Sequence, residues 1–260
     1  MTSLDTPSHS LMTTIIEPAL LASVIAHRGA SGEAPENTLA AMALAYEQGA
    51  RCVEIDVSIS ADHVPFVHHD DTLDRCTSGS GLLCEHTADQ LDSLHACKRI
   101  AGFDNEPLPR LSAVFDYLIQ HEMGLNLEIK PRQGLEAATV EAVCSLVETS
   151  WPAHLPMVFS SFSRPSLMCA KQRLPDIPRG LLVGSLPDDW LQLVERYACR
   201  NLHCEGARLS PQQAEQLCDK GLGVYCYTVN DVSVAQNLLD SGVHGVITDY
   251  PQRLLSALQL

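Results

Sequence analysis

The chain has 260 residues, 45% hydrophobic and only 5% aromatic, which is enough for one compact domain with a largely aliphatic core. A formal charge of −15, from 17 Lys and Arg against 32 Asp and Glu, argues against a nucleic-acid surface and against docking on an anionic membrane. No apolar run approaches the length of a membrane span, so membrane insertion is not expected either.

Residues 15–26 are interrupted by Glu17 and Pro18, and the first Lys or Arg is Arg28, so no secretory leader is read and a cytoplasmic location is expected. In that compartment Cys52, Cys76, Cys84, Cys97, Cys144, Cys169, Cys199, Cys204, Cys218 and Cys226 are expected to be mostly reduced. The absence of a C-x-x-C pair removes support for a zinc ribbon or a dithiol redox site. The β-branched run at 23–26 predicts a strand ending on His27-Arg28-Gly29. Asn37 or Thr38 can cap a helix over 39–46, which Gly49 closes. Val53-Glu54-Ile55-Asp56-Val57 follows as a strand. Because successive side chains alternate, Glu54 and Asp56 share one face while the apolar residues pack on the other. Two acids aimed together repel unless something positive lies between them, and a hard divalent cation with oxygen ligands is the usual object. An acidic solvent face is the competing reading.

The next strand-like stretch, 64–69, also ends in histidine, followed by Asp70-Asp71-Thr72-Leu73-Asp74-Arg75. From 71 to about 109 the strand-helix rhythm lapses, with loop chemistry at Thr77-Ser78-Gly79-Ser80-Gly81 and a short helix over 88–94. This reads as an insertion over the site, suited to lid or substrate-selection duty. Regular alternation then resumes: a helix at 111–121, a strand at 124–129, a helix at 135–148, a strand at 157–162 and a helix at 166–174. Strands at 181–183 and 201–204 flank a helix near 188–198. Ser210 and Pro211 open a helix over 211–220, followed by a strand at 223–229, a helix at 232–241 and a last strand at 245–248. About eight such units predict an α/β fold, a (β/α)8 TIM barrel with a small insertion after the second strand. An open doubly wound sheet lacks its G-x-G-x-x-G loop here.

In such a barrel the chemistry sits at the C-terminal ends of the strands, where His27, Arg28, His69, Glu128 and Lys130 are predicted to fall. Glu128 adds a third acid and Lys130 a second cation on a common face. A histidine exchanges protons near neutral pH and an arginine fork fits phosphate oxygens, so the set suits phosphoryl chemistry.

The ordered motifs His27-Arg28-Gly29-Ala30, Pro35-Glu36-Asn37-Thr38, Glu54-x-Asp56, the His69–Arg75 run and Glu128-Ile129-Lys130 together resemble the glycerophosphodiester phosphodiesterase family. Ser160-Ser161-Phe162, Tyr227-Thr228-Val229-Asn230 and the 245–251 segment extend the resemblance over roughly residues 22 to 255. It implies one barrel domain spanning 1–260, with the insertion at about 71–109, acting on a small-molecule glycerophosphodiester and no nucleic acid. In the roles that follow, Glu54, Asp56 and Glu128 ligate one Mg2+ or Ca2+, Arg28 and Lys130 bind the phosphate, and His27 and His69 form the general acid and base pair. Phe162 and Tyr227 are the expected apolar substrate contacts, and Tyr227 stands where the family commonly has tryptophan. Glycerophosphocholine or glycerophosphoethanolamine would give sn-glycerol 3-phosphate and an alcohol, either by water attack or through internal attack by the glycerol 2-hydroxyl. A non-catalytic glycerophosphodiester sensor, a phospholipase D-like lipid phosphodiesterase and a purely structural barrel are the alternatives. His68 reads as a loop holder, Asn37 as a cap or a loop-ordering residue, and Asp249 as a tether for the last strand.

Overall fold

The computed structural model describes residues 19–96, 100–103 and 105–260; Glu17 and Pro18, on which the expectation of no secretory leader rests, and Cys97 lie outside them. The strands are β1 (Val24–His27), β2 (Cys52–Ile59), β3 (Pro65–Val67), β4 (Gly124–Ile129), β5 (Met157–Ser161), β6 (Arg179–Val183), β7 (Asn201–Glu205), β8 (Gly223–Tyr227) and β9 (Gly245–Thr248). All except β3 are parallel, in the order β1-β9-β8-β7-β6-β5-β4-β2. The ring closes because β1 pairs with β9 on one side, Val24 opposite Val246, and with β2 on the other, His27 opposite Glu54. The chain is therefore a closed (β/α)8 TIM barrel.

Helices α1 (Leu39–Glu47), α2 (Ala88–Asp92), α3 (Leu111–Gln120), α4 (Glu136–Ser150), α5 (Arg164–Arg173), α6 (Trp190–Tyr197), α7 (Pro211–Asp219), α8 (Val232–Asp240) and α9 (Pro251–Leu258) complete the regular structure, and all but α2 belong to the outer layer. Val53, Ile55 and Val57 point from β2 into the core between barrel and helices, beside Phe115, Leu118 and Val143. Each such side chain contributes on the order of 1.5–3 kcal/mol by leaving water. Glu54 and Asp56, one position out of phase, must then face the barrel axis. Ile25, Cys52, Tyr225 and Ile247 form a separate buried cluster. Every glutamate and aspartate of the Glu-x-Asp strand is thus held against the barrel interior, and the acidic solvent face is not what forms.

Several elements differ from the sequence expectations, β6 beginning at Arg179 and α2 ending at Asp92 among them. The 64–69 stretch is a short antiparallel return, Val67 pairing with Val57, and so His69 does not stand at the end of a barrel strand. Pro65 suits it, because a proline lacks the N–H that an interior strand would need. Helix α5 begins at Arg164, two residues before the predicted start, because Ser163 caps it and Pro165 is tolerated in its first turn. Strand β8 stops at Tyr227, with Val229 tied back to Ile247. Helix α9 was not anticipated, although Pro251 marks its first turn. Leu73, Leu83, Ala88, Leu91 and Leu108 of the insertion form a small separate core with Phe66 of β3.

The turn after β1 is tightly built. Arg28 and Asn37 take left-handed φ values of 55° and 60°, and Gly29 has φ of 78°. A Cβ on Gly29 would lie 2.5 Å from the carbonyl carbon and 2.6 Å from the carbonyl oxygen of Ala41 in α1. Gly29→Ala is therefore expected to cost at least about 2 kcal/mol in urea denaturation. A change within about 0.5 kcal/mol of wild type would contradict this close approach.

Candidate active site

Glu54 and Asp56 enter from β2 and Glu128 from the neighbouring β4, with Asp56 directly opposite Glu128 in the ladder. Their relative exposures are 4%, 1% and 8%, and one oxygen from each lies within 4.8 Å of the others. Two cations reach these acids, by different oxygens: Arg28 Nε is 3.0 Å from Asp56 Oδ2, and Lys130 Nζ lies 3.6 Å from Asp56 Oδ1 and 3.7 Å from Glu128 Oε1. Asn37 Nδ2 donates to Asp56 Oδ2 at 2.9 Å. This is possible because the adjacent Thr38 caps α1, its Oγ1 accepting from Ala41 N at 3.1 Å. The alternative roles read for Asn37 and Thr38 are thereby divided between them.

The charges do not balance locally. Burial opposes ionisation of all three acids, and for Asp56 the nearby Arg28 and Lys130 overcome it, so its carboxyl falls below the ordinary value. Burial and then the charge of Asp56 push Glu128 up to about 8 and Glu54 well above its usual range. Three buried carboxylates that share two side-chain cations suit a hard divalent ion held by oxygen ligands, and the donor set fits such a group.

Two histidines flank this cluster with matching arrangements. His27 Nδ1 lies 2.6 Å from Asp249 Oδ1, and His69 Nδ1 lies 2.5 Å from Asp70 Oδ1. Asp249 is held down to about 2, burial opposing ionisation and the bonds to His27, Asn230 and Ser31 outweighing it. Asp70 is also held low, chiefly by Arg75. Ionised carboxylates only accept, so each histidine donates from Nδ1 and keeps Nε2 for exchange at the site. Burial holds the His69 imidazole below its usual pKa. Asp249, expected to be a strand tether, does bond Ser31 and Asn230, but it also orients His27. Its position just beyond the last strand, beside the first strand in a closed ring, was the available signal.

His27, Arg28, Glu54, His69, Glu128, Lys130, Phe162 and Tyr227 all line one cavity of about 260 Å3, and Asp56 lies against it through Arg28 and Lys130. The rings of Phe162 and Tyr227 meet edge to face with centroids 6.0 Å apart, and Tyr227 donates its hydroxyl to Val183 O at 2.9 Å. Phe162 is half exposed at the mouth. His68 does not face the cavity; its Nε2 is 2.9 Å from Thr72 O, which holds the loop. Glu36 was read only as part of a motif. It joins Arg28 to Arg75, and burial, which opposes its ionisation, is overcome by the two guanidinium groups, lowering its carboxyl to about 2. A larger apolar groove of about 590 Å3, near Trp151, Pro156 and Pro178, contains none of the catalytic candidates.

Residues 27–253 match the Glycerophosphoryl diester phosphodiesterase family. A glycerophosphodiester phosphodiesterase of Caldanaerobacter subterraneus is 31% identical over 242 residues, covering 91% of this chain and 97% of that protein. Among solved structures, an Oleispira antarctica phosphodiesterase in complex with the product sn-glycerol-3-phosphate is 40% identical with a TM-score of 0.90, covering 92% of this chain and 98% of that one. The glycerophosphodiester phosphodiesterase of Agrobacterium tumefaciens is 27% identical with a TM-score of 0.77, covering 91% and 100%.

The raised carboxyls make a pH prediction for the metal-free protein. Between pH 6.5 and about 8, a Glu128 still protonated when folded is already ionised when unfolded, so the folded state binds more protons and stability falls as pH rises. The histidines with lowered values have already delivered their contribution above their ordinary value of 6.5. Denaturant melts without divalent ions should lose up to about 1.4 kcal/mol per pH unit per retained proton over this window. Mg2+ or Ca2+ should flatten the slope and raise the melting temperature; a flat metal-free profile would count against the crowded acids.

Proposed function

The chain belongs to the glycerophosphoryl diester phosphodiesterase family and is a phosphoric diester hydrolase, and from that premise we propose that it hydrolyses glycerophosphodiesters with a divalent-metal-dependent, histidine acid–base mechanism. The product is sn-glycerol 3-phosphate, and the substrates are small diesters such as glycerophosphocholine and glycerophosphoethanolamine. The observation that carries the reading is the pairing of both cavity histidines with ionised carboxylates through Nδ1, beside a cluster of three acids and two cations. Binding alone requires no such pair, which favours an enzyme over a sensor. The 40% identical phosphodiesterase holding sn-glycerol-3-phosphate supports the product assignment.

In this reading Glu54, Asp56 and Glu128 hold one Mg2+ or Ca2+, which when bound supplies charge neutralisation and polarisation of a phosphate oxygen. Arg28 and Lys130 bind the non-bridging oxygens and the charge that grows on them, in a site where burial strengthens each attraction. His69, whose imidazole burial favours in the neutral form, begins as the proton acceptor at Nε2. His27 carries a proton at Nε2 to the departing alkoxide, with Asp249 holding the ring through Nδ1. The departing alcohol oxygen gains that proton as the P–O bond breaks. The nucleophile forms the new P–O bond and loses its own proton to His69; water as nucleophile gives sn-glycerol 3-phosphate directly, whereas the glycerol 2-hydroxyl gives a cyclic phosphate that water opens in a second step, with the two histidines exchanging roles. Phe162 and Tyr227 present apolar edges to the glycerol carbons. A single barrel domain with its insertion, working in the cytoplasm, completes the proposal. The described cysteines are all free, in keeping with a reducing compartment, and no described helix is long and apolar enough to cross a membrane.

Release of glycerol 3-phosphate from glycerophosphocholine and glycerophosphoethanolamine, with EDTA treatment and Mg2+ or Ca2+ add-back, tests the reading. EDTA should abolish release and add-back restore it, while His69→Ala should lower kcat by at least about 100-fold. Bound substrate with no turnover would favour a sensor, and turnover unaffected by EDTA would remove the metal from the mechanism.

A further inference from the structure

Arg75 does not line the catalytic cavity, yet it touches the partners of two groups that do. Its NH1 donates to Glu36 Oε2 at 2.7 Å and its NH2 to Glu36 Oε1 at 2.8 Å. On the other side NH2 donates to Asp70 Oδ1 at 2.9 Å and Nε donates to Asp70 Oδ2. Each carboxylate spends the same oxygen twice: Glu36 Oε1 also accepts from Arg28 NH1 at 2.6 Å, and Asp70 Oδ1 also pairs with His69 Nδ1 at 2.5 Å. A chain of alternating charge therefore runs Arg28, Glu36, Arg75, Asp70, His69. Its ends are in the cavity and its centre is in the insertion.

We propose that Arg75 is a positioning residue for hydrolysis, holding the phosphate-binding Arg28 and the proton-exchanging His69 in fixed relation to one another through Glu36 and Asp70. The proposal rests on the roles assigned above to Arg28 and His69. Those two residues come from separate loops, one after β1 and one after the antiparallel β3; backbone bonds anchor each loop to β2, Arg28 N to Glu54 O at 2.8 Å and His68 N to Asp56 O at 2.9 Å, and beyond those anchors the two side chains are linked to one another through Glu36, Arg75 and Asp70. A planar guanidinium with its donors in a rigid fork can grip two carboxylates at once, whereas an ammonium is a point charge. The grip also has an electrostatic effect. Glu36 shared with Arg75 neutralises less of the charge on Arg28, which leaves more of it for a phosphate.

Five variants of the chain test this on glycerophosphocholine with saturating Mg2+: Arg75→Met, Arg75→Lys, Arg75→Ala, and the Glu36→Gln/Asp70→Asn pair without and with Arg75→Met. Arg75→Met should lower kcat/KM by about 30-fold or more, mostly in kcat, and Arg75→Lys should recover only part of it. Millimolar methylguanidine should raise the activity of Arg75→Ala at least about fivefold and leave wild type unchanged. In the Glu36→Gln/Asp70→Asn background, Arg75→Met should cost less than about threefold, because the groups it acts through are already gone. Circular dichroism and melting temperature accompany each variant. A role in folding alone predicts losses that follow the melting temperature, no rescue, and a full loss in the double-variant background; that pattern overturns the proposal, as does Arg75→Met within threefold of wild type. His69→Ala is run in parallel. If it is as active as wild type, the acid–base reading fails, whereas an inactive His69→Ala beside a fully active Arg75→Met defeats the positioning role alone.

Discussion

The burial of three carboxylates at one end of the barrel is the constraint around which the rest of the site is arranged. Glu54, Asp56 and Glu128 are forced inward because their neighbours Val53, Ile55, Val57, Leu127 and Ile129 are committed to the core between barrel and helices. Once buried, they must be compensated, since an unpaired charge out of water is among the most costly things a fold can contain. Arg28, Lys130 and Asn37 are drawn to those oxygens, and two of the three acids still have raised carboxyls. The residual negative field is an attraction for a divalent cation, and the cations beside it are an attraction for a phosphodiester. A strongly acidic protein can thereby present an anion-binding pocket, because near charges set the local field.

Around that centre, a carboxylate stands behind both cavity histidines and behind Arg28. Asp249 orients His27, Asp70 orients His69, and Glu36 steadies Arg28. These supporting acids come from three places: the end of the last strand, the return after β3, and the loop after β1. The closed ring makes the first of them possible by bringing β9 beside β1. The left-handed turn at Arg28 and Gly29 makes the last possible, by reversing the chain sharply enough to bring the following loop back over the strand end.

Much of this was legible from residue order. The alternation in β2 and β4 showed which acids share a face, and β4 and β9 fall on the expected residues. Helix ends were readable where a side chain closes them, as at Ser210 and Pro211 for α7. Other features were not legible. The direction of β3 depends on which neighbour it pairs with, and an apolar run carries no sign of parallel or antiparallel pairing. Asp249 pairs with His27 across 222 residues and Arg75 with Glu36 across 39, separations beyond any periodicity.

The sequence by itself determined the class of fold and the chemical inventory, because hydrophobic period and side-chain type are local properties that survive without coordinates. It identified two histidines, three acids and two cations, and the ordered motifs that tie them to a family. Only the tertiary structure decided which carboxylate serves which base, that Asn37 serves Asp56 while Thr38 caps the helix, and that Arg75 lies between two loops. Except for His69 with Asp70 and the Thr38 cap, those assignments depend on distances between residues far apart in the chain, such as His27 and Asp249 or Glu36 and Arg75. Such distances arise only when the barrel closes and the insertion docks.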